Sequence, residues 1–295
     1  MRRLGFIGLG AMGAPMARNL AAAGFELAVF DVDERRTRAV AEDFGARAAG
    51  SASDVASGVD ALVIMVADGA QAEAALLGDD GALAALPAQA AVVLSSTVGP
   101  QAVAALAAEG RPLLDAPVSG GVARAETGDL LVMAGGPVEL FERLRPVLDA
   151  VGSTVVHCGE RPGDGQAVKL VNQLLCGVHI AAAAEALAYA QALGLDPAKV
   201  RDTIRHGAAA SFMLDDRGSR MLAREFDQVR SALDIFVKDM GLVVDAGAAS
   251  GARTPLAQAA RRLYEEGSEK GLGREDDSGV IRLLERSGPF SRERG

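Results

Sequence analysis

The chain has 295 residues, 49% of them apolar, with 35 glycines and no tryptophan, which is enough for two ordinary domains with cores of small side chains. Its formal net charge of −9 offers no basic field for phosphate backbones and excludes nucleic acid as an expected partner. The two cysteines, Cys158 and Cys176, fit neither a C-x-x-C redox pair nor a zinc knuckle and are expected to be reduced packing residues.

The apolar segment after Arg2 and Arg3 is interrupted by glycines at 8, 10 and 13. It does not read as a secretion signal, and a cytoplasmic protein with no membrane partner is expected. Short β-like runs at 4–8, 27–30, 61–66, 91–95, 113–118 and 130–134 alternate with helical stretches such as 15–23, 34–44 and 100–108. That rhythm predicts an α/β domain with a doubly wound, mostly parallel sheet and right-handed crossovers. Near 159–165 a cluster of Gly, Pro and charged residues breaks the pattern, and a long apolar helical stretch follows at 166–193. Lys169, Asn172, Gln173, His179 and Glu185 inside it argue for a buried interdomain helix over a membrane span. Further helices are expected at 197–206, 232–249, 255–270 and 278–285, and the polar end at 287–295 is expected to fray. The expected domains are 1–163, carrying the sheet, and 164–295, all-helical.

Gly8-Leu9-Gly10-Ala11-Met12-Gly13 is a G-x-G-x-x-G sequence directly after the first strand and opening a helix. In that context the glycines provide a tight turn, a close backbone approach to a pyrophosphate and close helix–sheet packing, which is the dinucleotide-binding pattern of a Rossmann domain. Asp31, at the end of the second strand, can accept hydrogen bonds from an adenosine ribose and repels a 2′-phosphate, which favours NAD over NADP. Val32 offers no phosphate ligand, although Arg35 and Arg36 keep NADP open, and the lesser alternative for Asp31 is a turn residue in Asp31-Val32-Asp33. Thr97 lies at a strand's carboxyl end, where such sheets bind ligands, or caps the helix that Pro100 begins.

The stretch Asp115-Ala116-Pro117-Val118-Ser119-Gly120-Gly121 can aim a hydroxyl and successive N–H groups at a carboxylate, or form an ordinary turn. Lys169 and Asn172 sit three residues apart in Gly165-Gln166-Ala167-Val168-Lys169-Leu170-Val171-Asn172, on one helix face. Burial of an ammonium in so apolar a run is expected to favour the neutral amine, the form a general base needs. His157, His179 and His206 show no metal-ligand spacing, and no metal is expected.

Together Gly8 to Ala17, Asp115 to Gly121, Gly165 to Asn172 and Val237-Lys238-Asp239 resemble, in order and spacing, the β-hydroxyacid dehydrogenase family over essentially the whole chain. The resemblance implies a nicotinamide cofactor, a small hydroxy-acid substrate and a helical domain that often supports dimers or tetramers. It further implies that Ser119, Gly120 and Gly121 hold the substrate carboxylate and that Lys169 takes the hydroxyl proton. Asn172 would orient the substrate, with Gln173 as the alternative amide. Lys238 would lie near cofactor and substrate. Val66-Ala67-Asp68 would form a loop beside the cofactor, lacking the proline that many relatives carry there. Residues 231–241 and 273–281, with Ser211-Phe212-Met213 and Asp215-Asp216-Arg217, look most like the branch acting on L-threonate. 3-Hydroxyisobutyrate is the second expectation and tartronate semialdehyde the third. Lys169 opposes both a non-catalytic binding role and imine reductase chemistry, and the chain length opposes a phosphogluconate-type enzyme.

Overall fold

Short runs of Leu, Val, Ile and Ala, buried on both sides, become the strands of one sheet. In the computed structural model, which describes residues 1–285, these are β1 (Arg3–Ile7), β2 (Glu26–Phe30), β3 (Arg47–Ala48), β4 (Ala61–Ile64), β5 (Ala91–Leu94), β6 (Leu113–Asp115), β7 (Val118–Ser119), β8 (Leu131–Gly135) and β9 (Thr154–Gly159). The expected fraying at 287–295 lies outside the described residues. The order is β3-β2-β1-β4-β5-β6-β8-β7, with β9 beyond β8. Pairing is parallel from β3 through β6, and β8 runs antiparallel to β6 and β7. Because β1 lies between β2 and β4, the chain reverses direction across the sheet there, the crevice where open α/β sheets bind ligands.

The helices α1 (Gly13–Ala22), α2 (Glu34–Phe44), α3 (Ala52–Ala56), α4 (Gly69–Leu77), α5 (Ala82–Ala85), α6 (Pro100–Ala107), α7 (Gly121–Glu126) and α8 (Val138–Val151) accompany the sheet. Alternate strand residues face opposite sides. Leu4, Phe6, Val63 and Val93 join one core with Met16, Leu20 and Leu144, whereas Ile7, Leu62, Ile64 and Leu94 join another with Val103 and Leu106.

The single strand expected at 113–118 is two elements in the structure. Pro117 brings no N–H to a ladder, and β6 ends at Asp115 before β7 resumes for two residues. The sequence pattern also gives no sign of β3 or β9. The former has two exposed residues, and the latter carries His157 and Cys158 and is only half-buried.

The chain divides into Met1–Lys169 and Leu170 onward, within α9 (Asp164–Ala192). Among the described residues α9 is the one helix long and apolar enough to cross a membrane. Its buried positions 165, 166, 169, 170, 173, 177 and 180 recur at helical spacing. The second unit continues with α10 (Pro197–Ile204), α11 (Phe212–Ala223), α12 (Leu233–Ser250) and α13 (Pro255–Glu269). The helix expected at 278–285 is a 3-10 helix, Asp277–Leu283, whose N-terminus Asp276 caps through the Ser278 N–H at 3.2 Å.

Ile180, Leu187, Met221, Phe236, Met240, Tyr264 and Ile281 form the core of this unit. A charge cluster staples the 3-10 helix to α11. Arg217 pairs with Asp277 at 3.1 Å and Arg220 with Asp276 at 3.1 Å, both carboxylates being fully buried, while Asp216 accepts from both arginines. Breaking a buried pair from one side leaves an uncompensated charge. Asp277→Ala is therefore expected to lower stability by about 3 kcal/mol or more, seen as a lower urea midpoint in circular dichroism. A midpoint equal to that of wild type would show that this cluster contributes nothing to the unit.

Candidate active site

The glycine-rich turn after β1 is built by close backbone approach. Gly8 adopts φ +93°, and a Cβ there would stand 2.2 Å from the Met65 carbonyl oxygen. A Cβ on Gly13 would stand 1.9 Å from the Gly8 oxygen, whereas none on Gly10 would meet an atom within 4 Å. The first and third glycines hold the turn against β4 and against itself, and Gly10 faces open space. With the N-terminus of α1 beginning at Gly13, Gly8, Leu9, Gly10, Ala11, Met12 and Gly13 fit a cradle for a pyrophosphate.

Asp31 holds this turn from β2. Its carboxylate accepts from the Leu9 N–H at 2.7 Å and the Asp33 N–H at 2.8 Å. The turn-residue alternative is thus what these bonds describe, and each oxygen keeps a second lone pair. Val32 is 95% exposed. Arg35 lies against Asp33 at 3.3 Å, and Arg36 reaches within 3.9 Å of Asp31.

Toward the sheet centre, the loops after β4 and β5 are joined where the Val66 N–H donates to Ser96 Oγ at 2.7 Å. Thr97 is half-buried in the next position. It is not the cap of α6, because Gly99 holds that position without a side-chain bond. A buried amide secures the loop: Gln166 Nε2 donates to the Ser96 carbonyl at 2.8 Å, and its Oε1 accepts from the Val98 and Gly99 N–H groups at 3.0 and 3.1 Å. The fully buried Asp115 carboxylate at the end of β6 accepts from the Gly163 N–H at 2.6 Å and the Gln166 N–H at 2.7 Å, capping α9. Burial pushes this carboxyl up to about 6, while the two N–H groups pull the other way. Neither Gln166 nor Asp115 is singled out by sequence spacing. The signal available is one amide in the first turn of an apolar helix and one acid ending the apolar pair Leu113-Leu114.

Ser119 ends β7 half-buried, followed by Gly120 at φ +144° and Gly121 at φ +70°. Both angles favour glycine, and α7 starts at Gly121. Lys169, 5% exposed, lies three residues after Gln166 on the buried face of α9. In the first unit the structure thus lines up Gly8 to Gly13, Asp31, Val66 and Thr97 at the carboxyl ends of β1, β2, β4 and β5, and ties the start of α9 to the β5 and β6 ends. In the second unit, Asn172 Nδ2 donates to Gln173 Oε1 at 2.8 Å, Gln173 Nε2 donates to Asp239 Oδ2, and Lys238 Nζ pairs with Asp239 Oδ1 at 3.0 Å. Of the two amides, Gln173 is buried on the Lys169 face and Asn172 is half-buried beside it. Asp239, 2% exposed, is the partner that the sequence pattern leaves without a role. Among the described residues no group of three or more His, Cys, Asp or Glu side chains is placed to hold a metal ion.

Residues 3–159 match the family model for the NAD binding domain of 6-phosphogluconate dehydrogenase, and residues 163–284 match that for the NAD-binding domain of NADP-dependent 3-hydroxyisobutyrate dehydrogenase. The chain is 41% identical over 287 residues to an L-threonate dehydrogenase of Cupriavidus necator, covering 96% of each. It is 37% identical to a 3-hydroxyisobutyrate dehydrogenase of Pseudomonas aeruginosa, covering 90% of this chain and 91% of the relative. A solved structure described as 3-hydroxyisobutyrate dehydrogenase from Salmonella typhimurium superposes with a TM-score of 0.87 at 40% identity, covering 96% of this chain and 100% of that one. The chain belongs to the β-hydroxyacid dehydrogenase family. As a member it is a hydroxy-acid oxidoreductase that works with a nicotinamide dinucleotide.

In this dehydrogenase the Asp115 carboxyl is harder to ionise in the native state than in the unfolded chain. Its stabilising contribution is complete below the ordinary aspartate range and is lost as the pH rises through about 6. Urea unfolding of wild type and Asp115→Asn, compared between about pH 4.5 and 7.5, should show wild type losing stability relative to the variant as pH rises. A difference that stays flat over this range would contradict the buried, hard-to-ionise carboxyl.

Proposed function

We propose that the protein oxidises an L-threonate-like aldonic acid with NAD, using Lys169 as general base. The observation that carries this is a buried lysine on a helix that Asp115 and Gln166 tie to the ligand-binding end of the sheet. Relatives named L-threonate dehydrogenase, 37–41% identical over nearly their full length, support the substrate class.

In this reading Gly8, Leu9, Gly10, Ala11, Met12 and Gly13 hold the pyrophosphate, and Asp31 the adenosine ribose. Val66 and Thr97 line the nicotinamide side. The dinucleotide, when bound, supplies the hydride acceptor. Ser119 and the N–H groups of Gly120 and Gly121 bind the substrate carboxylate. Asn172 orients the reacting hydroxyl, and Lys238, held by Asp239, adds positive charge near substrate and cofactor. Lys169 accepts the hydroxyl proton, which requires its neutral amine. NAD is favoured because the Asp31 carboxylate repels a 2′-phosphate, Val32 offers no cation, and Arg35 is engaged by Asp33. Val168, Val171, Leu175, Tyr189 and Leu193 leave an exposed apolar stripe along and just beyond α9, which suits a homodimer or homotetramer. The 3-hydroxyisobutyrate reading is kept by the Pseudomonas aeruginosa relative.

Lys169→Ala should lower kcat by about a hundredfold to ten-thousandfold and leave dinucleotide affinity, read by NADH fluorescence, nearly unchanged. Wild-type oxidation should speed up toward alkaline pH, where the amine is neutral. A variant with more than about half of the wild-type kcat would remove the lysine from the mechanism.

Steady-state kcat/KM for L-threonate, D-threonate, erythronate, 3-hydroxyisobutyrate and glycerate, each with NAD and with NADP, tests substrate and cofactor together. L-threonate with NAD should lead, since a site built to bond hydroxyls discriminates against analogues lacking them. A higher value for 3-hydroxyisobutyrate than for every aldonic acid would overturn the substrate. Equal or better use of NADP would overturn the cofactor preference.

A further inference from the structure

Residues 95–99 have neither helix nor strand structure, so their path is set by what they bond to. Three of their main-chain groups go to one side chain: the Ser96 carbonyl, the Val98 N–H and the Gly99 N–H all meet the Gln166 amide, at 2.8, 3.0 and 3.1 Å. Oε1, accepting twice, has both lone pairs filled. Gln166 is fully buried, and its own N–H is held at 2.7 Å by Asp115, also fully buried. Thr97 therefore hangs between residues fixed by this amide, and Lys169 follows it by one helical turn on the same buried face.

We infer that Gln166 is a positioning residue for hydroxy-acid oxidation: it sets the Thr97 loop, on the nicotinamide side, against the helix that carries Lys169, so that the hydride acceptor and the base meet at one substrate carbon. The inference rests on Lys169 being the base. In that step the hydroxyl proton goes to Lys169, the C–H hydride with its two electrons goes to the oxidised nicotinamide, and the carbon–oxygen bond becomes a carbonyl. Gln166 touches none of the reacting atoms. Its effect is on alignment, where a displacement of about 1 Å can cost a hundredfold in rate.

The test uses Gln166→Leu and the near-isosteric Gln166→Glu, assayed with the best substrate of the panel above. The glutamate keeps acceptors for Val98 and Gly99 but can donate to the Ser96 carbonyl only when protonated. The ratio of its kcat to the wild-type value should approach one at mildly acidic pH and fall as pH rises, over the same range in which the wild-type rate climbs. Gln166→Leu should lose about tenfold or more in kcat at every pH, with dinucleotide affinity changed by less than about threefold. If the leucine variant does not fold, the pH profile of the glutamate variant still decides. Folded variants with wild-type kcat and pH profile, differing only in thermal midpoint, would make Gln166 merely structural and overturn the proposal. So would a loss of dinucleotide affinity as large as the loss of kcat. An inactive Lys169→Ala beside fully active Gln166 variants overturns this inference alone, whereas an active Lys169→Ala overturns the base reading beneath it.

Discussion

A carboxylate sealed from solvent at the end of β6 fixes where the longest helix begins. Asp115 accepts the N–H groups of Gly163 and Gln166, donors that the first turn of a helix cannot satisfy internally. Those two bonds and the favourable end of the helix dipole offset part of its burial cost. The carboxylate and the helix start therefore hold each other in place. Every residue on the first turns of α9, Lys169 included, takes its position from that junction. A lysine has a four-carbon stem and much rotamer freedom to lose, so a buried lysine calls for a backbone that does not move.

The same device recurs across the sheet edge. At β2, Asp31 pins the glycine turn through the Leu9 N–H; after β5, Ser96 Oγ takes the Val66 N–H; from α9, Gln166 takes the 96–99 loop. In each case a buried or half-buried polar side chain satisfies the main chain of a loop that cannot form a ladder. Loops at the carboxyl ends of parallel strands would otherwise be free to move, and a dinucleotide site needs them at fixed separations. The polar residues at this edge thus close the hydrogen bonding of the loops and fix the separations between them.

Where burial is complete on both faces, the sequence is easy to read. Residues 61–64 and 91–94 are uninterrupted apolar runs because helices cover both sides, and the glycine turn is legible because Gly8 and Gly13 have no alternative to glycine. Legibility fails where contacts between distant residues decide. β9 is half-buried with His157 and Cys158 in its run, so no periodicity marks it. Pro117 splits a run that composition alone makes continuous. The segment at 277–283 has helical composition, yet the capping bonds of Asp276 accompany a tighter 3-10 turn. Lys169, Ser119 and Asp31 are visible through motif spacing, whereas Gln166, Asp115 and Asp239 are defined by partners 48 to 70 residues away, which no local pattern encodes.

Those distant partners also explain why the polar positions of α9 are not interchangeable. Gln166 and Gln173 are both buried amides on one face, but the first is filled by main-chain groups and the second by Asp239, which in turn holds Lys238. An amide can donate and accept at once, so each joins a neutral helix to groups of either polarity without adding charge. A carboxylate at either position would set like charge against Asp239 or an oxygen against the Ser96 carbonyl, and an apolar side chain would strand buried donors and acceptors. Both buried amides on the Lys169 face of the helix are thereby bonded at nitrogen and at oxygen.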